Sequence, residues 1–114
     1  MTSHTRKVEH RIAVGDTYTP LGRTLYQGNE AMDLTGLTVQ FKLIQADGTT
    51  LTDWTATGVT VVSATAGDVQ YDFLATDVDT AGVFYGYFRA GAGSEWATFP
   101  PGDKLNKIVI TDTN

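Results

Sequence analysis

This sequence predicts an all-β fold, an antiparallel β-sandwich of seven to nine short strands with Greek-key connections, on three observations. Apolar residues recur with period two along the chain, and no window of about eleven residues carries the i, i+3, i+4, i+7 pattern of an amphipathic helix. Nineteen threonines join Val, Tyr and Phe as residues suited to a pleated, half-buried surface. Turn signals separate the alternating segments at intervals of about ten residues, the spacing of a sandwich.

The first strand is expected near Val8 to Val14, with Val8, His10, Ile12 and Val14 on one face, ending at Gly15-Asp16. A second runs from Pro20 to Gln27, placing Leu21 and Leu25 together, and Gly28-Asn29 turns it. Leu37, Val39, Phe41 and Leu43 alternate with Thr38, Gln40 and Lys42, which marks a central strand with one dry face. Asp47-Gly48, between Leu43 and Leu51, predicts a hairpin with a type I′ turn. A strand from Ala56 to Ala64 follows, then a turn at Ala66-Gly67-Asp68. Val69, Tyr71 and Phe73 next face one way, and Gln70 and Asp72 the other. Ala75 to Gly82 reads as a loop whose Asp and Thr side chains compete with ladder pairing. From Val83 to Arg89 both faces are apolar: Phe84, Gly86 and Phe88 on one, Val83, Tyr85 and Tyr87 on the other. Gly91 to Ser94 is the next hairpin tip, Trp96 to Phe99 a short return, Pro100-Pro101-Gly102 an interruption, and Leu105 to Ile110 the last strand. The expected core is Leu37, Val39, Phe41, Leu43, Val69, Tyr71, Phe73, Phe84, Phe88, Ile108 and Ile110.

Composition narrows the function. The chain has 114 residues with 41% hydrophobic and 11% aromatic content, enough for one modest core and too much for a disordered segment. No cysteine is present, which removes disulfides, thiolate zinc sites and cysteine nucleophiles. No apolar run has the length of a membrane span or a signal h-region. A net charge of -5 disfavours a partner bound through its phosphates, so no nucleic acid and no membrane is expected.

Three stretches resemble a known family. Gly15-Asp16-Thr17 leads to Pro20-Leu21; Asp33-Leu34-Thr35-Gly36 precedes Leu37 to Leu43 and Asp47-Gly48-Thr49; Gly67 to Tyr71, Ala81 to Phe84 and Thr98-Phe99-Pro100 follow. Together they resemble the immunoglobulin-like N-terminal domain of tailed-bacteriophage upper baseplate proteins and related small phage virion proteins. The resemblance implies a single immunoglobulin-like sandwich, placed at residues 8–111; the basic residues ahead of it read as a flexible arm at 1–7 and the polar end as a short tail at 112–114. It further implies a non-enzymatic structural or adaptor role in the virion, whether tail, baseplate, neck or capsid decoration. Upper baseplate proteins continue into stalk and receptor-binding parts, and this sequence stops at Asn114, so no receptor-binding head is expected here. The tyrosine that often ties the corner before strand F is replaced by Phe84, so packing and Asp77 or Asp79 are expected to hold that corner.

No catalytic, metal or cofactor site is expected. Asp68, Asp72, Asp77 and Asp79 lack the spacing of a calcium loop; Asp68 reads as a turn cap, Asp72 as a solvent-facing strand residue, and Asp77 and Asp79 as corner residues. His4 and His10 have no nucleophile elbow beside Ser3, Ser63 or Ser94, and Glu9, Glu30 and Glu95 are scattered. The candidate contacts are therefore surfaces. Arg6 and Lys7 on the basic arm, and Tyr85 and Tyr87 on the spare face of their strand, are the protein-interface candidates; internal burial is the competing reading for the two tyrosines. Residues Gln27 to Glu95 hold nine acids against Lys42 and Arg89, so the arm of one copy has an acidic flank to meet in a symmetric ring. Expected partners are other virion proteins or further copies of this chain. A carbohydrate-binding or host-adhesion module is the alternative, with Trp54 and Trp96 near hairpin ends as glycan contacts.

Overall fold

In the computed structural model, which describes residues 9–27, 29–99 and 107–112, strands form wherever the sequence alternates. In chain order they are β1 (Glu9–Ala13), β2 (Leu21–Thr24), β3 (Tyr26–Gln27), β4 (Glu30–Ala31), β5 (Thr38–Gln45), β6 (Thr50–Thr55), β7 (Val59–Ser63), β8 (Asp68–Tyr71), β9 (Gly82–Ala92), β10 (Glu95–Phe99) and β11 (Lys107–Thr111). A 3-10 turn at Ala75–Asp77 stands between β8 and β9. The larger sheet has the order β1-β11-β9-β5-β6, with β10 also on β9; the smaller is β2-β8-β7, and β3 and β4 form a separate ribbon. Successive hairpins β5–β6, β7–β8 and β9–β10 lie in the larger, smaller and larger sheet, so the chain crosses between layers as a Greek key does. The orders β2-β8-β7 and β5-β9-β11 match the B-E-D and C-F-G orders of an immunoglobulin sandwich.

The core lies between these sheets. Val39, Phe41, Leu43, Phe84, Phe88, Ile108 and Ile110 of the larger sheet meet Leu21, Val69 and Tyr71 of the smaller, all buried. Phe41 stacks on Tyr71 across the layers with ring centroids 3.9 Å apart and takes Phe88 edge-on at 5.0 Å. Gly86 makes room for that ring, because a Cβ there would stand 2.7 Å from Phe41 Cζ. Of the expected core row only Leu37 differs: it precedes β5 and is half-buried, while Leu34 fills the interior. Ile12, Leu25, Val78 and Ala90 complete the core.

Several local expectations are corrected. The sandwich is not wholly antiparallel: β1 runs parallel to β11, with Glu9 opposite Lys107 and Ala13 opposite Thr111. No hairpin turn joins strands so distant in sequence, so none dictates their relative direction. The hairpin after β5 is not type I′, which needs positive φ at both central residues. Here Gly48 alone has positive φ, at 95°, its N–H donates to Gln45 O at 2.9 Å, and Gln45 N–H donates to Thr49 O. That is a three-residue loop closed by a glycine bulge, and it leaves Asp47 free to accept from the Thr49 amide. The expected strand from Pro20 to Gln27 breaks at Leu25, which turns into the core and bonds its N–H to Gly67 O. Before Ala64, the segment from Ala56 begins with a turn, and β7 starts at Val59.

The corner before β9 is held by Asp77. This carboxylate is 1% exposed and accepts hydrogen bonds from the Tyr71 hydroxyl at 2.6 Å, the Leu74 amide at 2.8 Å and the Thr52 hydroxyl. Tyrosine thus ties this corner after all, but from β8, while Phe84 packs in the core. Burial and the neighbouring carboxylate push the Tyr71 hydroxyl far above its ordinary pKa. Among the described residues Asp79 takes no part: it is exposed and accepts from the Thr80 hydroxyl. Asp68 is a strand residue rather than a turn cap, accepting from the Thr24 hydroxyl on β2.

Candidate interaction face

Strand β9 has two different faces. Phe84, Gly86, Phe88 and Ala90 are buried, whereas Val83, Tyr85, Tyr87 and Arg89 are half-buried and point out of the sandwich. Neighbouring strands extend that outer row: Gln40 lies opposite Arg89, Lys42 opposite Tyr87, and Ile44 opposite Tyr85. Lys107 of β11 flanks Tyr85 on the other side.

The two tryptophans join this face. Trp54 sits one residue from the end of β6, where Phe41 pairs with Thr55 and Leu43 with Thr52, so Asp53 and Trp54 together oppose Lys42. Such a bulge re-aims a side chain. Here it keeps Thr52 turned toward Asp77 and puts the Trp54 indole under two cations, with Lys42 Nζ 5.7 Å and Arg89 Cζ 4.6 Å from its ring centre. Trp96, in β10, comes from the opposite side of β9, its ring centre 4.2 Å from Arg89 Cζ and its indole N–H bonded to Gly93 O. Arg89 is therefore bracketed by two indoles, and its Nε–H donates to Gln40 Oε1 at 2.7 Å.

The remaining candidates do not assemble. Arg6 and Lys7 lie outside the described residues. His10 stacks against Phe73 at 5.9 Å and meets the Thr19 carbonyl, a half-buried strand position without catalytic company. Asp72 is exposed beside Gln70, far in role from the sealed Asp77. Among the described residues no group of three His, Asp or Glu side chains is placed to hold a metal, and no helix is long and apolar enough to cross a membrane. A shallow, open groove on the smaller sheet is lined by Arg23, Thr24, Tyr26, Val62, Asp68 and Gln70.

Sequence reasoning singled out Tyr85, Tyr87, Trp54 and Trp96 but assigned them to two separate surfaces. It passed over Arg89, Gln40 and Lys42. One signal was present, since Arg89 continues the odd-numbered row of Val83, Tyr85 and Tyr87. Neither protein-family models nor curated proteins match the chain.

Proposed function

We propose that this chain is a non-enzymatic docking domain of a tailed-bacteriophage particle, an immunoglobulin-like adaptor or decoration piece whose larger sheet presents its outer face to another virion protein. The observation that carries the docking role is Arg89 bracketed by Trp54 and Trp96, beside Tyr85 and Tyr87 on one face. Trp, Tyr and Arg are the residues that dominate interface energetics, because they bury large area while keeping a polar handle. The virion assignment is supported by the resemblance of the turn and core segments to the phage family. Many symmetric copies allow each contact to be weak, as linked sites raise effective concentration.

Mass spectrometry of purified particles is the test. The chain should be recovered in fixed proportion to the other structural proteins and remain attached through density-gradient purification. Its loss from purified particles would remove the virion reading. A carbohydrate-binding role is the second reading, in which sugar rings would stack on indole surface that Arg89 does not cover; glycan-array binding lost in Trp96→Ala would favour that role instead.

A further inference from the structure

We infer that the face around Arg89 recognises a carboxylate, an Asp or Glu side chain on an acidic segment of a partner protein. This rests on the docking reading and names the chemistry of what docks.

A guanidinium carries its N–H donors in a rigid planar fork that matches a carboxylate in bidentate fashion. On a free arginine, ordering the long side chain opposes binding. Arg89 is ordered already: Trp54 and Trp96 bracket its Cζ at 4.6 and 4.2 Å, and Gln40 holds Nε–H at 2.7 Å. Among the described residues no hydrogen bond or ion pair reaches the Nη groups, although Asp53 and Glu95 stand next to the two tryptophans in sequence. Asp53 instead accepts from the Trp54 amide. Donors held in place and left unbonded on a half-buried residue are complementary to an incoming acceptor.

Charge selects the acceptor's class. Lys42 adds a second cation beside Trp54, on a chain whose net charge is -5. A cationic aromatic patch on an acidic body suits one or two carboxylates at short range. A polyphosphate chain needs many more cations than this face has. The two indoles wall the fork and lower its exposure to water, which strengthens a charge-assisted pair there.

The test uses an accident of composition: Trp54 and Trp96 are the chain's only tryptophans, so emission excited selectively at tryptophan, past the absorption of the five tyrosines, reports on this site. Short synthetic peptides rich in Asp and Glu, each paired with its Asn and Gln twin, are titrated into the full chain. The acidic peptides should change the emission, bind at least about tenfold tighter than their amide twins, and weaken as salt rises. Arg89→Lys keeps the charge but loses the fork, and should cost about tenfold or more in affinity with the thermal melt unchanged. Should that variant fold poorly, Gln40→Ala, which releases Nε, should give a smaller loss in the same direction. Equal binding of acid and amide twins, affinity indifferent to Arg89→Lys, no response to the whole acidic set, preference for anionic oligosaccharides, or an emission change explained by self-association would each overturn the proposal. Particle composition separates the two readings. A chain present in virions but blind to carboxylates defeats only this inference, and carboxylate binding by a chain absent from virions defeats only the virion assignment.

Discussion

Asp77 and Arg89 are both charged groups held by named neighbours, but they are held differently. Asp77 is 1% exposed and takes hydrogen bonds from three donors on β6, β8 and the corner itself. Arg89 is half-buried between two indoles, with its Nε–H bonded to Gln40 and, among the described residues, no partner on its Nη groups. A buried charge is tolerated when its partners are complete, because each unmet hydrogen bond in the interior costs its full desolvation. A surface charge fixed by aromatic faces faces no such demand and keeps capacity for a partner. The first arrangement is architecture; the second is the one proposed to meet a partner.

The contrast breaks most sharply at Asp77. Asp77→Ala would leave the buried Tyr71 hydroxyl and the Leu74 amide without an acceptor, and at about 1–3 kcal/mol for each such group the variant should lose about 3 kcal/mol in urea unfolding. A loss below about 1 kcal/mol would mean water replaces the carboxylate and the corner is not sealed. Gly86→Ala, on the inner face of β9, drives a methyl group into the Phe41 ring and should cost about 1–3 kcal/mol by overpacking.

Tyr71→Phe removes one donor from Asp77 and should cost about 1–2 kcal/mol. It also sharpens the comparison through pH. The Tyr71 pKa is raised on folding, so its contribution is intact below the unfolded value of about 10 and is lost as pH climbs from there toward the folded value, by about 1.4 kcal/mol per pH unit. Unfolding free energies between pH 9 and 12 should show that slope in the parent and lose it in Tyr71→Phe, and ultraviolet titration should leave one of the five tyrosines un-ionised while the chain stays folded.

Arg89→Gln should change stability least, by about 1 kcal/mol or less, since cation–π contacts at exposed positions contribute that order. Its signature is spectroscopic: the emission of both tryptophans should shift together. A drop in stability as large as that of Asp77→Ala would make Arg89 architectural too and erase the distinction. Smaller still is the acid limb. Asp16 is held below the ordinary carboxylate range by the Thr19 hydroxyl, Asp33 by that of Thr35, and Asp47 by the Thr49 amide. Their depressed values mean stability is present above the usual Asp pKa and falls slightly as pH drops through the folded ones, which a melt series from pH 5 downward reads.

The inner half of this molecule was legible because burial imposes a strict period of two. Val39, Phe41 and Leu43, or Phe84 and Phe88, cannot shift by one residue without facing water. The outer half was legible as residue types only. Nothing in a linear reading shows that two residues of β6 oppose Lys42, so Trp54 looked like a hairpin-end aromatic rather than a neighbour of Arg89. Trp96 and Trp54 meet through strand order, which depends on pairings far apart in sequence. Asp77 was named for the corner, but the partner that matters most, Tyr71, was read only as a core residue, because its ring and its hydroxyl serve different ends.

The parallel pairing of β1 with β11 has a mechanical consequence. With five residues of one strand in register with five of the other, the leading end of β1 and the trailing end of β11 sit at opposite ends of the same ladder. Tension applied at those two points pulls along the strands, loading the rungs in shear together instead of unzipping them singly. A domain joined to its surroundings through those ends is clamped against stretching, whatever its faces hold.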